Sequence, residues 1–392
     1  MKERLLQELE QIKEAGNYRE IRYVKPVNAS RLIYEGREYL NLCSNSYLSL
    51  HLHPDVMRAA KDAIDEYGAG TCSSRSVSGS IDLYARLEDE VASFKGYEKA
   101  LIFSNGYLAN IGIIATLAGA HDVIFSDELN HSSIIDSTRL SRARRVIYRH
   151  LDIEDLEKKI RRESVRTRKS KKFIITETVF SMDGDVAPLR EIFNLKEKYG
   201  LHVIVDEAHA TGVFGEGGRG VEELHGLSGL MDVQMGTFGK ALGSFGAFAL
   251  ADSLTIDYLI NRARTFMYTT ALPASALAAA RSALQLIRDN GSFKKELWEN
   301  LDYMRRGLLH LGFDLKQSEG PIVPIVVGED SKAVRMQKML LEKGIFLQAI
   351  RPPTVPSGTS RLRLTVVRGL TKEEMDKALE AIGAAGKEVG LI

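Results

Sequence analysis

Cysteine is nearly absent: Cys43 and Cys72 are the only two in 392 residues. They form no Cys-x-x-Cys spacing, and two thiols cannot frame a disulfide-stapled fold. Such usage suits a reducing cytosol, and a cytoplasmic location is the expectation. Excess charge of either sign is also missing, with 53 Lys and Arg against 52 Asp and Glu. A net charge of +1 gives no electrostatic reason to expect nucleic acid or an acidic membrane as partner. No apolar run reaches the ~20 residues of a membrane span. Residues 1–10 are amphipathic and lack the apolar core of a signal peptide. There are no internal repeats or low-complexity segments. One basic run at 161–172, which includes Arg168, has no interleaved aromatic residue and reads as a solvated helix end and loop.

What is present can build a sizeable core: hydrophobic residues make up 44% of the chain, and the length predicts about two domains. Leu5, Leu6, Leu9 and Ile12 share one face of a helix over 1–15 that ends near Gly16-Asn17. The segments 31–34 and 37–40 read as a hairpin turning at Glu35-Gly36. From about residue 54, helical periods alternate with short apolar runs at 100–103, 122–125, 145–148, 173–176 and 202–205. That alternation indicates βαβ units around a mainly parallel sheet. Two more runs, 232–235 and 245–250, flank the turn Met235-Gly236-Thr237-Phe238-Gly239-Lys240-Ala241, so Lys240 is placed between two strands. A helical stretch from Pro273 through Leu311, interrupted at Asn290-Gly291, leads into a smaller α/β unit. Its strands are expected at 322–326 and 361–365, and its helices near 331–342 and 371–385. The predicted division is an N-terminal helix and hairpin (1–45), a large domain (46–285) and a small C-terminal domain (286–392).

Asp206-Glu207-Ala208-His209 follows the β-branched run Val203-Ile204-Val205, so the acid and the histidine fall at the carboxyl end of a strand. Ligands of open α/β sheets bind there. Glycines at 236, 239 and 243 permit close approach and positive φ around Lys240, and Thr237 offers a hydroxyl to a phosphate. An amine that forms a Schiff base, with a carboxylate to keep a pyridine nitrogen protonated, is what pyridoxal phosphate chemistry needs. Such an amine must be partly neutral, which a desolvated site near another cation supplies. Asp-Glu-Ala-His is also the Mg²⁺ motif of nucleic-acid-stimulated ATPases. That reading requires GxxxxGK[ST], and Gly239-Lys240 and Gly386-Lys387 lack both the upstream glycine and the following Ser or Thr. A capping acid beside a buried histidine is the purely structural alternative.

Residues 104–110, Ser-Asn-Gly-Tyr-Leu-Ala-Asn, follow a strand and open an apolar helix, which makes them a candidate phosphate cup. His131, in Asn130-His131-Ser132-Ser133, either stacks on an aromatic cofactor ring or caps the helix that starts there. Residues 215–220 match GxGxxG but lie well past the strand end with no clear helix inside, and read as a mobile loop. His51-Leu52-His53 has a metal-like spacing, but Pro54 starts a helix and no third ligand lies nearby, so a turn is expected and no metal.

With these stretches together, and with Ser44-Asn45-Ser46-Tyr47-Leu48 and the segment 177–185 (Glu-Thr-Val-Phe-Ser-Met-Asp-Gly-Asp), the chain resembles the α-oxoamine synthases over essentially its whole length. These are fold type I enzymes dependent on pyridoxal phosphate. The resemblance implies an α/β transferase whose large domain has a mainly parallel seven-stranded sheet flanked by helices, plus a smaller C-terminal α/β domain. It implies Lys240 as Schiff-base lysine and general base, Asp206 beneath the pyridine nitrogen, His209 and Ser181 near the phenolic oxygen, and His131 stacked over the ring. Gly106, Tyr107 and Thr237 would hold the phosphate, with Thr270 reaching in from a second subunit, so that the enzyme is a homodimer with shared sites. Arg363 and Asn45 look like the clamp for the amino-acid carboxylate, and Arg19 and Thr354 like contacts to the acyl partner. The segment 349–356, followed by 360–365, points to the member of the family that condenses L-alanine with a pimeloyl thioester in biotin biosynthesis. The acyl donor would be a coenzyme A or carrier-protein thioester. The alternatives are a member such as glycine C-acetyltransferase, with another amino acid or acyl group, and a catalytically silent partner subunit, which Lys240, Asp206 and His209 argue against. Three stretches depart from the family pattern: residues 70–75 replace a more Gly-rich run, Tyr84 stands where histidine is common, and residues 366–369 replace an Ala-His-Thr element.

Overall fold

The computed structural model describes residues 1–14, 18–167 and 169–392. The expected helix end at Gly16-Asn17 and Arg168 of the basic run lie outside the described residues. The chain divides into two units, one of Leu48–Ser181 with Val186–Lys294, the other of Met1–Tyr47, Met182–Asp185 and Lys295–Ile392.

In the first of these, seven strands form one sheet: β1 (Lys99–Phe103), β2 (Val123–Asp127), β3 (Arg144–Tyr148), β4 (Lys172–Glu177), β5 (His202–Asp206), β6 (Val233–Thr237) and β7 (Ala247–Ala251). Their order is β1-β7-β6-β5-β4-β2-β3. The strands from β3 to β6 are parallel, and β7 is antiparallel to β6 and β1. The mainly parallel seven-stranded sheet expected from the sequence is therefore present. β2, β6 and β7 are buried at every residue. Strands covered by helices on both faces have no side left for water, so they read as unbroken apolar runs rather than alternations. β3 lies at the sheet edge and exposes Arg144 and Arg145, and charge on an edge discourages pairing with another chain. Where the parallel strands stop, polar residues take over: Asp127, Glu177, Asp206 and Thr237 end β2, β4, β5 and β6. Helix Gly106–Leu117 sets Ala109, Ile113 and Ile114 into the same core as Phe103, Ile134 and Met235.

The other unit holds the expected hairpin, Arg31–Tyr34 with Arg37–Asn41. Glu35 and Gly36 at its turn have φ of 48° and 76°, the left-handed pair that matches strand twist in a two-residue loop. A short strand Val24–Pro26 and a parallel one, Ile345–Phe346, complete this sheet. Strands of two or three residues carry too little periodicity to be read from sequence. The predicted strands near 322 and 361 pair antiparallel as Ile322–Gly328 and Ser360–Thr365. The last helix, Lys372–Glu388, starts with a capping box in which Thr371 and Glu374 satisfy each other's backbone N–H groups. Helix Lys2–Glu14 buries none of its residues, leaving Leu5, Leu6, Leu9 and Ile12 exposed. No helix among the described residues is long and apolar enough to cross a membrane.

Candidate active site

The lysine turn is built by hydrogen bonds from the end of β6 to the start of β7. Thr237 Oγ1 donates to the Gly246 carbonyl (2.8 Å) and accepts from Gly239 N–H (3.1 Å). Phe238 N–H also donates to Gly246, and Gly243 N–H donates to the Lys240 carbonyl, each at 2.9 Å. Gly243 has φ +64°, and a Cβ there would lie 2.3 Å from the His51 backbone nitrogen, so the turn requires glycine on two counts. The result aims Lys240 Nζ at His209 Nε2, 2.8 Å away.

Asp206 ends β5, and neighbours on both sides fix its carboxylate. Asn110 Nδ2 donates to Oδ2 and the Ala208 N–H to Oδ1, each at 2.9 Å. Asn110 also donates to Ser133 Oγ (2.9 Å), which lies 2.8 Å from His131 Nδ1. His131 caps helix Ser132–Leu140, its Nδ1 accepting from Ser133 N–H (3.2 Å). A backbone N–H can only donate, so Nδ1 is the unprotonated nitrogen and the ring proton sits on Nε2. Burial lowers the His131 pKa, with Lys240 acting in the same direction and Asp206 against both, so the neutral ring is favoured. The cap and the ring-facing role, alternatives in the sequence, are compatible in one residue.

Glu177, at the end of β4, accepts from His131 N–H (2.6 Å) and from the Ser181 backbone. Burial and the nearby Asp206 nevertheless push its pKa well above the usual carboxyl range, against the opposing pull of Lys240. Helix Gly106–Leu117 begins beside these groups. Asn105 caps it, its side chain accepting from Leu108 N–H (2.9 Å) and its carbonyl from Ala109 N–H (3.0 Å). The N–H groups of Gly106 and Tyr107 are thereby left to face an anion at the positive end of the helix. The Tyr107 ring meets His131 edge-on at 6.5 Å, and its hydroxyl bonds Asp136.

Gly106, Tyr107, His131, Asp206, His209, Thr237 and Lys240 all line one cavity of about 210 Å³. Asn110, Ser133, Glu177 and Met235 line it too and were not singled out as site residues from the sequence. They lie on separate strands and helices, and only folding reveals that they share a wall. Ser181 is buried beside Glu177 rather than in this lining. Thr270 is exposed outside it, its carbonyl accepting from Ser104 Oγ (3.4 Å). A larger cavity, about 470 Å³, opens between helices Pro54–Tyr67 and Ala274–Asp289. Its cations Arg58 and Arg281 are already paired with Asp55 (2.5 Å) and Glu90 (3.0 Å), and no histidine or lysine lines it. Size alone would therefore misplace the chemistry.

In the other unit, Arg363 Nη2 donates to Asn45 Oδ1 (3.1 Å) and Nη1 to Thr365 Oγ1 (3.0 Å). Burial raises the pKa of the adjoining Tyr47 to about 12 despite the Arg363 charge. Arg19 Nη2 donates to Thr354 Oγ1 (3.2 Å) on the surface. The four residues expected to contact substrate thus form two pairs. His53 caps Pro54–Tyr67 by accepting from Asp55 N–H (3.3 Å), so the His51-Leu52-His53 spacing belongs to a turn. The glycine-rich loop 215–220 is tied down: the Glu223 carboxylate accepts from the N–H of Gly217 (3.0 Å) and Arg219 (2.9 Å).

Residues 37–382 match the family model for aminotransferase class I and II. The 8-amino-7-oxononanoate synthase of Geobacter sulfurreducens is 46% identical over 98% of both chains, and that of Lysinibacillus sphaericus 41% over the whole of both. Among solved structures, serine palmitoyltransferase from S. paucimobilis with bound PLP-myriocin aldimine superposes with a TM-score of 0.94 at 32% identity, covering 99% of this chain and 98% of its own. The 8-amino-7-oxononanoate synthase of Francisella tularensis gives 0.76 at 29% identity, covering 89% and 98%. The two curated relatives, at 46% and 41% identity, are thus nearer in sequence than these two solved structures, at 32% and 29%. The chain belongs to the aminotransferase class I and II family of fold type I pyridoxal phosphate enzymes, and within it to the α-oxoamine synthases, with similarity to 8-amino-7-oxononanoate synthase over its whole length.

Proposed function

We propose that this chain condenses L-alanine with a pimeloyl thioester, with loss of CO₂ and the thiol, to give 8-amino-7-oxononanoate for biotin synthesis. The observation that carries the chemistry is Lys240 Nζ, 2.8 Å from His209, in the same cavity as the fixed Asp206 carboxylate. The residues present fit pyridoxal phosphate. The cavity, about 210 Å³, exceeds the ~150 Å³ that accommodates a benzene ring. It has an anionic wall at Asp206, an amine at Lys240 and the amino end of a helix at Gly106 for a phosphate.

Bound pyridoxal phosphate supplies the electron sink that absorbs charge when the alanine Cα proton leaves. Asp206 would keep a proton on the pyridine nitrogen, and Asn110 and the Ala208 N–H keep its carboxylate from swinging away. Lys240 would hold the cofactor through Nζ, and the same amine, once free, would take the Cα proton of the bound alanine. His209 orients Nζ between these tasks. The new bond joins alanine Cα to the thioester carbonyl carbon as the thiolate leaves. The alanine carboxylate then departs as CO₂, and the Lys240 ammonium returns a proton to Cα. Neutral His131 presents Nε2–H as a donor to a substrate oxygen. The Arg363–Asn45 pair is assigned to the amino-acid carboxylate, Arg19 and Thr354 to the acyl chain, and Ser181 and His209 to the phenolic oxygen.

The active species in this reading is a cytoplasmic homodimer in which Thr270 completes the phosphate site of the partner subunit. Its exposure outside the cavity of its own chain supports that role, and the uncovered apolar face of helix Lys2–Glu14 supports a second copy. The deciding experiment is mass spectrometry of products from alanine, glycine and serine, each with a panel of acyl thioesters. L-Alanine with pimeloyl thioester should give the main product, and faster turnover of glycine with an acetyl thioester would overturn the substrate assignment.

A further inference from the structure

The proposed chemistry uses Asp206 and His209 but leaves idle the residue between them, Glu207, and the glycine-rich loop 215–220. These two features belong together. Successive side chains at a strand end point to opposite faces, so while Asp206 faces the cavity, Glu207 turns away from it and is fully buried. There it meets Lys95, the last residue of helix Asp82–Lys95, with Nζ to Oε2 at 2.6 Å and neither side chain exposed at all. Lys95 spends its other two donors on Thr211 Oγ1 (3.1 Å) and the Arg219 carbonyl. Glu207 Oε1 accepts from Glu222 N–H (2.9 Å). Gly220 lies directly on this carboxylate, where an added Cβ would stand 1.8 Å from Oε2. The GxGxxG pattern therefore seals a buried ion pair instead of cradling a nucleotide.

The same residue carries the backbone of the catalytic turn. The Glu207 carbonyl accepts from Ala210 N–H and Thr211 N–H, both at 3.0 Å, and from Thr211 Oγ1 (3.2 Å), while its own N–H donates to Met235 (2.7 Å). We propose that Lys95, Glu207 and the closed loop 215–220 are positioning elements that lock the 206–211 turn from behind, setting Asp206 and His209 against the cofactor. A buried, fully hydrogen-bonded ion pair suits this task because it has one geometry, whereas an apolar contact tolerates sliding.

The inference rests on the cofactor roles given above to Asp206 and His209. An Asp206→Asn holoenzyme with wild-type cofactor release and turnover would overturn that reading, whereas the outcomes below overturn this one. The test compares Lys95→Met, Glu207→Gln, the double variant and Thr211→Val as holoenzymes, with Leu156→Ala, a core truncation on helix Ile153–Arg166, as the stability control. Three quantities are read: Tm, the rate of pyridoxal phosphate release on dialysis, and the pH midpoint of the visible absorbance. The double variant, having no unpaired charge, should recover Tm relative to either single one, yet release cofactor about tenfold faster with a displaced midpoint. Thr211→Val, which removes one Lys95 acceptor without stranding a charge, should shift both cofactor readouts in the same direction by roughly threefold or less. A double variant with wild-type release and midpoint overturns the proposal. So does Leu156→Ala releasing cofactor as fast at equal loss of Tm. Should the Lys95 variants not fold, Thr211→Val decides: wild-type values in both readouts would sink the idea.

Discussion

Among the described residues that line the cavity Lys240 is the one lysine, so its replacement leaves no second amine there to take over. Lys240→Ala should lower kcat by at least about 10²–10⁴-fold, the usual worth of a positioned base, and abolish the visible absorbance of lysine-anchored cofactor. Retained turnover in that variant would remove the residue from the mechanism. Lys95 has no access to solvent, and Lys95→Met alone strands a buried carboxylate. Its cost should be on the order of 3–5 kcal/mol in denaturant titration. At this scale Lys240, Asp206 and His209 were legible, because a strand-end acid and a glycine-bracketed lysine have few other reasons to coexist. Asn110 was not: an asparagine within an apolar helix gains meaning only when β5 brings Asp206 to within 2.9 Å of it.

In the proposed site, helix Gly106–Leu117 would couple stability to anion binding through its Asn105 cap. Asn105→Ala should cost about 1 kcal/mol and weaken phosphate retention, since the cap also aims the first N–H groups. Unfolding curves and cofactor release would be measured on the same sample, and loss of stability with unchanged release would refute the coupling. In the lysine turn, Gly243→Ala forces a methyl onto the backbone of His51. It should destabilise by roughly 1–3 kcal/mol or more and misplace Nζ, lowering kcat more than KM. Long elements were readable because their apolar periods are fixed by burial on one face or two. The loop 215–220 looked mobile because glycines usually mark freedom. Here Gly220 marks a close approach to the carboxylate of Glu207, and Glu223 holds the N–H groups of Gly217 and Arg219.

Across the whole molecule, the buried ionic cluster should make stability depend on pH. Burial, reinforced by the Glu207 charge, raises Glu222 from 4.5 to about 7, while Gln234, Lys95 and Tyr97 pull the other way. The folded state therefore binds this proton more tightly than the unfolded state does. The linked stability is fully present below pH 4.5 and lost as pH rises through about 7, on the order of 3 kcal/mol in all. Glu222→Gln should flatten the fall in Tm between pH 5 and 8, and an unchanged slope would assign the dependence elsewhere. The shared-site reading is tested by hybrid dimers of Lys240→Ala with Thr270→Val. If Thr270 acts across the interface, one site of each hybrid is wholly native and activity returns. If it acts within its own chain, both sites are damaged.

The sequence by itself determined the seven strands, the helices between them and the placing of Asp206 and Lys240 at the ends of β5 and β6, because burial imposes periodicity and a glycine-bracketed turn fixes where its lysine stands. Tertiary structure alone decided what surrounds those groups: Asn110 on Asp206, Glu177 on the backbone of His131, and Lys95 beneath Glu207. Each of these is a contact between segments far apart in the chain. No local pattern encodes such a contact, since its energy exists only once the sheet has brought the partners within hydrogen-bonding distance.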